Sequence, residues 1–173
     1  MKSLLVMLVF AGALGARLAE VHIKAALAAY DDAQNALRDK QFEQAGEFFR
    51  KAIEIEPTFM DAYDGLVKLY LDTNRRLEAA AMITRLLEIE PSASHHRLML
   101  GQILLDEKQW NKALAQFAFV LRTDPLNADA LLGFAAAASQ AGMADRASDA
   151  LERGRKQYPL DERFKRSPVK QAQ

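Results

Sequence analysis

The chain contains no cysteine, only five prolines and eight glycines, and no excess of either charge among its 173 residues. Without cysteine it can form no disulfide, no thiolate nucleophile and no thiolate metal site. Its 23 basic and 23 acidic residues cancel, which argues against a nucleic-acid partner, because such proteins carry a basic surface. Few helix breakers together with 50% hydrophobic residues favour a helical protein with a sizeable core.

Motifs that carry catalysis or hold a cofactor are also missing. The sequence has no phosphate-binding loop, no nucleophile elbow and no dinucleotide fingerprint. Its histidines are His22, His95 and His96. The last two would be helix neighbours whose side chains point about 100° apart, so they would not share one metal ion. The sequence therefore predicts a protein that is not an enzyme, with no cofactor and no metal site.

The first sixteen residues read MKSLLVMLVFAGALGA, with one lysine, an apolar run and small residues at the end. This order is typical of a secretory signal peptide. The run is short for a membrane span, which needs about 20 apolar residues. An uncleaved anchor and a buried first helix of the domain are the alternatives. We expect residues 1–16 to be a signal peptide or an N-terminal membrane anchor, so that the protein is exported (periplasmic or secreted) or membrane-anchored.

The tetrapeptide EIEP occurs at residues 54–57 and again at 88–91, which is an offset of 34 positions. The same offset separates four prolines, and also the residues that precede each proline by 8, 12 and 24 positions. The columns are Pro57, Pro91, Pro125 and Pro159; Phe49, Ile83, Phe117 and Leu151; Ala45, Ala79, Ala113 and Ala147; and Ala33, Val67, Gly101 and Ala135. Four columns that keep one period indicate an internal repeat of two helices joined by a short turn.

Each repeat has residue types that suit a pair of packed helices. Small residues at two columns let the helices approach closely, and the Phe/Ile/Leu column fills the space between units. Proline ends each second helix because it lacks an amide donor, and Thr58, Ser92 and Asn127 are expected to cap the helices that follow. The last second helix, residues 145–157, has a polar outer face and is expected to close the array without a further helix. The turns are expected at residues 38–40, 72–74, 106–108 and 140–142.

The repeat resembles the tetratricopeptide repeat (TPR) family. Residues 41–57 (QFEQAGEFFRKAIEIEP) and 109–125 (QWNKALAQFAFVLRTDP) are similar to its second helix, and residues 98–110 (LMLGQILLDEKQW) to its first helix and turn. The resemblance implies an all-α solenoid of four helix–turn–helix repeats wound into a right-handed superhelix. The implied boundaries are a TPR domain at 17–161, repeats at 26–59, 60–93, 94–127 and 128–161, and a polar, mildly basic, solvated tail at 162–173.

In the resembled family the first helices line a concave groove that binds peptides. The corresponding positions here are Tyr30, Gln34, Leu37, Arg38, Asp61, Asp64, Lys68, Leu71, Asp72, His95, Leu98, Gln102, Leu105, Asp106, Asp129, Leu132, Ala136 and Ser139. Some members clamp the C-terminal carboxylates of chaperones, but at the matching places only Lys68 has the required charge, so no such binding is expected. Aliphatic residues and aspartates would suit a peptide with apolar anchors and basic residues. The alternative is that this face is merely solvated and a partner binds elsewhere.

Two hypotheses about function follow from the resemblance. The first is a non-enzymatic adaptor or scaffold that binds a peptide or protein segment in the groove. The second is a structural or assembly subunit of a membrane or envelope complex, anchored by residues 1–16. In both cases the expected partner is a protein, and the membrane is contacted only through an uncleaved N-terminal segment.

Overall fold

The computed structural model describes the backbone of residues 2–165 and the side chains of residues 20–165. Within residues 2–165 every regular element is a helix, which confirms the expected all-α class. The helices are α1 (Lys2–Arg38), α2 (Phe42–Ile55), α3 (Met60–Asp72), α4 (Arg76–Ile89), α5 (Ser94–Asp106), α6 (Trp110–Thr123), α7 (Ala128–Gln140), α8 (Ala144–Gln157) and α9 (Glu162–Lys165).

The chain divides into two compact units between residues 75 and 76. The N-terminal unit holds α1 to α3, and the C-terminal unit holds α4 to α9. Within each unit, helices that follow one another in sequence pack against each other. In the C-terminal unit α5 also contacts α7, so that the first helices of two consecutive repeats lie side by side.

The backbone conformation of the turns inside the repeats recurs with the same period of 34 residues. Lys40, Asn74 and Lys108 have φ angles of 59°, 58° and 58°, and Gly142 has a φ of 76°. These left-handed conformations end the first helix of each repeat. In each turn the amide of the next residue donates to a carbonyl five positions earlier, at 2.7 or 2.8 Å. The four predicted turns are therefore confirmed.

The columns that precede each proline by 8, 12 and 24 positions form the core of each unit. All twelve of their residues are buried. Ala45, Ala79, Ala113 and Ala147 have no exposed surface at all. This burial explains the period, because a larger side chain at these positions would push the paired helices apart.

Two phenylalanines of the core pack against glycines of the next repeat. A Cβ atom at Gly65 would lie 2.4 Å from the ring of Phe49, and one at Gly133 would lie 2.4 Å from the ring of Phe117. No side chain fits at that distance. Because Gly65 and Gly133 occupy the same position in their repeats, both units use the same contact between a phenylalanine and the following first helix.

The helix starts differ from the prediction at two of the three expected caps. Asn127 caps α7 as predicted, since its side chain accepts the amide three residues on at 3.0 Å. Thr58 and Ser92 are not caps: the N-cap residues of α3 and α5 are Phe59 and Ala93, which make no side-chain cap hydrogen bond. The cap position is the second residue after the proline, whereas Thr58 and Ser92 are the first.

Helix α1 runs without interruption from Lys2 to Arg38 and so includes residues 2–16 of the predicted leader as well as the first helix of the first repeat. Alanines 26, 29, 33 and 36 of this helix are buried at the spacing of one helix face. The side chains of the predicted leader lie outside the described residues. Within the part of the chain that the structure describes, no helix combines the length and the apolarity that crossing a membrane requires.

The chain beyond Pro159 is not simply a solvated tail, and this corrects the sequence interpretation. Glu162–Lys165 forms α9, and Phe164 within it has no exposed surface. Its ring lies against Gly154, where a Cβ atom would come within 2.0 Å, and stacks on Tyr158 with 5.9 Å between ring centroids. Helix α8 buries Ala147, Ala150, Leu151 and Gly154, but Phe164 of α9 covers Gly154, so α8 alone does not close the array. The remainder of the predicted tail, 166–173, lies outside the described residues.

Candidate functional site

The C-terminal unit has a groove of about 710 Å³ between α5 and α7, with Phe117 of α6 in its wall. Seven of the predicted groove positions meet here. They are His95, Leu98, Gln102 and Leu105 of α5 and Asp129, Leu132 and Ala136 of α7. The sequence prediction did not include four further lining residues, which are Met99, Phe117, Gly133 and Arg163.

The walls of this groove are mostly apolar, and its polar lining residues are His95, Gln102, Asp129 and Arg163. Leu98, Met99, Leu105 and Leu132 are each half-buried, so an apolar group placed between them would remove more of their surface from water. Each square ångström of apolar surface so removed contributes about 25 cal/mol. The groove is therefore suited to apolar side chains of a ligand.

Asp106 lies beside this groove rather than in its wall. It accepts a hydrogen bond from Gln102 at 2.9 Å and pairs with Arg76 at 3.5 Å. Its charge is thus already engaged within the C-terminal unit, and the hydrogen bond to Asp106 also holds the side chain of Gln102.

Arg163 of α9 reaches the acidic end of the groove. Its Nη1 donates to Asp129 at 2.7 Å, and its Nη2 donates to Asp161 at 2.7 Å. The hydrogen bonds to Asp161 and then to Asp129 raise the pKa of Arg163 above its ordinary value. The hydrogen bonds from the side chain and backbone of Arg163 lower the pKa of Asp161. The guanidinium and the Asp161 carboxylate are therefore both charged at neutral pH.

The place of Arg163 in the groove could have been predicted from the repeat period. One full period separates Arg163 from Asp129, and one full period separates the start of α9 from the start of α7. Asp161 is the second residue after Pro159, which is the cap position, and it accepts the Arg163 amide at 2.9 Å. Helix α9 therefore lies at the position where a fifth first helix would begin. The prediction ended at residue 161 because it relied on prolines that close second helices.

The N-terminal unit has a smaller groove, of about 290 Å³, between α1 and α3. The ring of Tyr30 lies 5.7 Å from that of Phe49 and 5.3 Å from that of Phe59, so packing fixes its orientation. The charged residues of this groove are exposed. Six predicted positions line it together with Gly65, namely Tyr30, Gln34, Leu37, Asp61, Asp64 and Lys68.

Five predicted positions line neither of these two grooves: Arg38, Leu71, Asp72, Asp106 and Ser139. Arg38 is exposed and hydrogen-bonds to Asn35. Asp72 is exposed, whereas Leu71 and Ser139 are half-buried. All five lie in the last two residues of their first helices, where the chain turns toward the second helix.

Histidine and carboxylate side chains do not gather into a metal site in the described part of the chain, where no group of three is placed to hold an ion. The rings of His95 and His96 lie 5.4 Å apart. His95 is exposed at the groove edge, and His96 is buried. The two rings thus lie in different environments.

Two animal proteins share a segment with this chain. Protein O-mannosyl-transferase Tmtc3 of Drosophila melanogaster is 30% identical over 97 residues, which cover 56% of this chain and 10% of that protein. Tetratricopeptide repeat protein 6 of Homo sapiens is 32% identical over 108 residues, which cover 61% of this chain and 21% of that protein. The chain matches only a small part of either relative.

The fold is shared with YrrB, whose crystal structure is described as a TPR protein with an unusual peptide-binding site. The TM-score is 0.68 at 22% identity, and the match covers 81% of this chain and 72% of YrrB. The family model described as tetratricopeptide repeat matches residues 36–103 and 104–167, which together exceed half of the sequence. The chain therefore belongs to the tetratricopeptide repeat family, as the period of its prolines and core columns predicted.

Proposed function

We propose that this chain is a non-enzymatic adaptor that holds an extended segment of another protein in the groove between α5 and α7. The TPR fold supports protein–protein interaction, and YrrB, which shares the fold, is described as having a peptide-binding site. The transferase name belongs to the Drosophila protein, of which this chain matches 10%. The groove itself, with apolar walls and an acidic end, is the observation that carries the proposal.

The dimensions of the groove suit a short stretch of extended chain. Leu98 and Leu105 are seven residues apart on α5, which corresponds to about 10 Å along the helix. Three extended residues span that length at about 3.4 Å each. The volume of about 710 Å³ lies within the range of roughly 300–1,000 Å³ that is usual for ligand sites.

The chemistry of the groove favours a partner with apolar anchors and a basic residue. Leu98, Leu105 and Leu132 offer contacts to apolar side chains, which supply most of the affinity in such interfaces. Asp129 offers a carboxylate at one end, and Arg163 of the same chain already makes the contact that a basic partner residue would make.

The adaptor proposal can be tested with displayed random dodecapeptides selected on the full chain. We expect the enriched peptides to combine apolar residues with arginine or lysine. Leu132→Asp should weaken their binding at least about tenfold, because it places a charge among the apolar walls. Fluorescence anisotropy with synthetic copies of the enriched peptides measures the affinity.

Leu77→Asp is the matched control, since Leu77 is a leucine of the same unit that is 60% exposed and lies outside the groove. Circular dichroism should show the same helix content for both variants. If the two substitutions weaken peptide binding equally, or if neither does, the partner does not bind in this groove.

The second candidate function is a structural or assembly subunit of a membrane or envelope complex, tethered by residues 1–16. The apolar run with its leading lysine supports export or anchoring,. The intact mass of the native protein distinguishes a cleaved leader from a retained anchor. Loss of the leader supports an exported adaptor, and a retained Met1 in the membrane fraction supports the tethered subunit. A soluble protein that still begins at Met1 would contradict both localisations.

A further inference from the structure

We propose that Asp129 is a binding position for an arginine or lysine of the partner, and that Arg163 occupies this position until the partner displaces it. The inference rests on the proposed function, because it concerns the same groove. Arg163 of α9 both lines the groove and pairs with Asp129.

The contact between Arg163 and Asp129 is of a kind that exchanges easily. Nη1 of Arg163 lies 2.7 Å from Oδ1 of Asp129, but the two side chains are 55% and 66% exposed. Exposed ion pairs contribute little net stability, because water and salt compete for both charges. An incoming guanidinium whose neighbouring residues also gain apolar contacts in the groove therefore has an advantage over Arg163.

Arg163 keeps a second acceptor when it leaves Asp129. Asp161 accepts hydrogen bonds from Nε of Arg163 at 3.1 Å and from Nη2 at 2.7 Å. These bonds do not depend on Asp129, since Asp161 lies two residues away in the chain. Displacement consequently frees the Asp129 carboxylate without leaving the arginine unpaired.

The backbone of α9 is anchored independently of this contact. Phe164 is fully buried, and its carbonyl accepts a hydrogen bond from Nε of Arg155 at 2.9 Å. The exchange therefore needs only rotation of the Arg163 side chain and no unfolding of α9. Arg163 would compete with a basic partner residue for Asp129, whereas an uncharged partner residue would not compete for this carboxylate.

A disulfide-tethered probe tests this position without knowledge of the partner. The chain has no cysteine, so Ala136→Cys introduces a unique thiol in the groove, seven residues from Asp129 or about 10 Å along α7. The probe is the tripeptide N-acetyl-Cys-Leu-Arg amide, which spans about 10 Å. Its control contains citrulline, which has nearly the shape of arginine but no charge. Intact mass spectrometry in thiol buffer measures the equilibrium capture of each.

We expect little preference for the arginine probe while Arg163 is present. With Arg163→Gln, capture of the arginine probe should exceed that of the citrulline probe by about two- to fivefold, the range of an exposed ion pair. Adding Asp129→Asn should abolish that preference. At Ser148→Cys, an exposed position on α8, the capture ratio should not change with Arg163→Gln or with Asp129→Asn.

The proposal is overturned if Arg163→Gln leaves the capture ratio at Ala136→Cys unchanged, if the preference survives Asp129→Asn, or if the ratio at Ser148→Cys changes in the same way with these substitutions. Circular dichroism and thermal melts confirm that each variant is folded. The tether supplies the binding energy, so the ratio remains measurable even when no free peptide binds. If the capture ratio responds to Arg163→Gln as expected but the peptide selection fails, the adaptor proposal is contradicted and the proposal for Asp129 is not.

Discussion

The two grooves are built on the same positions of the first helix but differ in chemistry. Asp64 and Lys68 of the N-terminal groove correspond, two repeats later, to Leu132 and Ala136 of the C-terminal groove. The first groove is small, at about 290 Å³, and has charged edges; the second measures about 710 Å³ and has apolar walls. Positions that face the groove are therefore free to change between repeats.

The core positions of the same helices do not have that freedom. Phe49 against Gly65 in the N-terminal unit matches Phe117 against Gly133 in the C-terminal unit. A repeat must bury these residues against its neighbour to be stable, whereas no such demand applies to the groove. The core residues therefore specify the fold, whereas the groove residues are the ones that can vary to suit a ligand.

Removing the two core phenylalanines should have the largest effect on stability. Phe49→Ala and Phe117→Ala should each lower the free energy of unfolding by about 3–5 kcal/mol, because each leaves a cavity between repeats. Phe42→Ala, at a residue that is 41% exposed, is the control and should cost less than about 1 kcal/mol. Urea unfolding followed by circular dichroism measures all three. A cost for Phe117→Ala no greater than that for Phe42→Ala would show that the two units do not share this contact.

Adding a methyl group beside the ring of Phe117 should have the next largest effect on stability. Gly133→Ala should destabilise by about 1–3 kcal/mol, because its methyl group would overlap the ring. In the repeat between, the corresponding residues are Ile83 and Met99, so a smaller core residue accompanies a larger partner. Phe117→Ile should therefore relieve part of the cost of Gly133→Ala. A double-mutant cycle in urea tests this, and strictly additive costs would contradict the contact.

Giving the C-terminal groove the chemistry of the N-terminal one should mainly affect binding. Leu132→Asp combined with Ala136→Lys should weaken binding of the selected peptides by at least about tenfold, or about 1.4 kcal/mol. Leu77→Asp combined with Ala144→Lys makes the same charge change at exposed positions of the C-terminal unit and should leave binding intact. Isothermal titration calorimetry compares the two. Equal affinities would mean that groove chemistry does not select the ligand.

The fold could be predicted from the sequence because each core column has a physical cause. Alanine is needed where helices touch, and proline where the second helix ends, so both recur once in every repeat. The groove was predicted in part, since family positions identified most of its lining. Phe117 and Gly133 were missed because residues of the core also form its wall. Arg163 was missed because its helix follows the last proline that marks a repeat.

The smallest effect concerns the start of the first helices, where the repeats differ. Asn127→Ala should cost about 1 kcal/mol, because α7 loses a side-chain acceptor for one of its unpaired amides. Ala93→Asn should stabilise α5 by a few tenths to about 1 kcal/mol, since Ala93 holds the same position and makes no cap hydrogen bond,. Ser92→Ala is the control and should be neutral, because its side chain is not the cap of α5. Thermal melts of the three variants rank these effects, and a larger loss for Ser92→Ala than for Asn127→Ala would place the cap at the first residue after the proline.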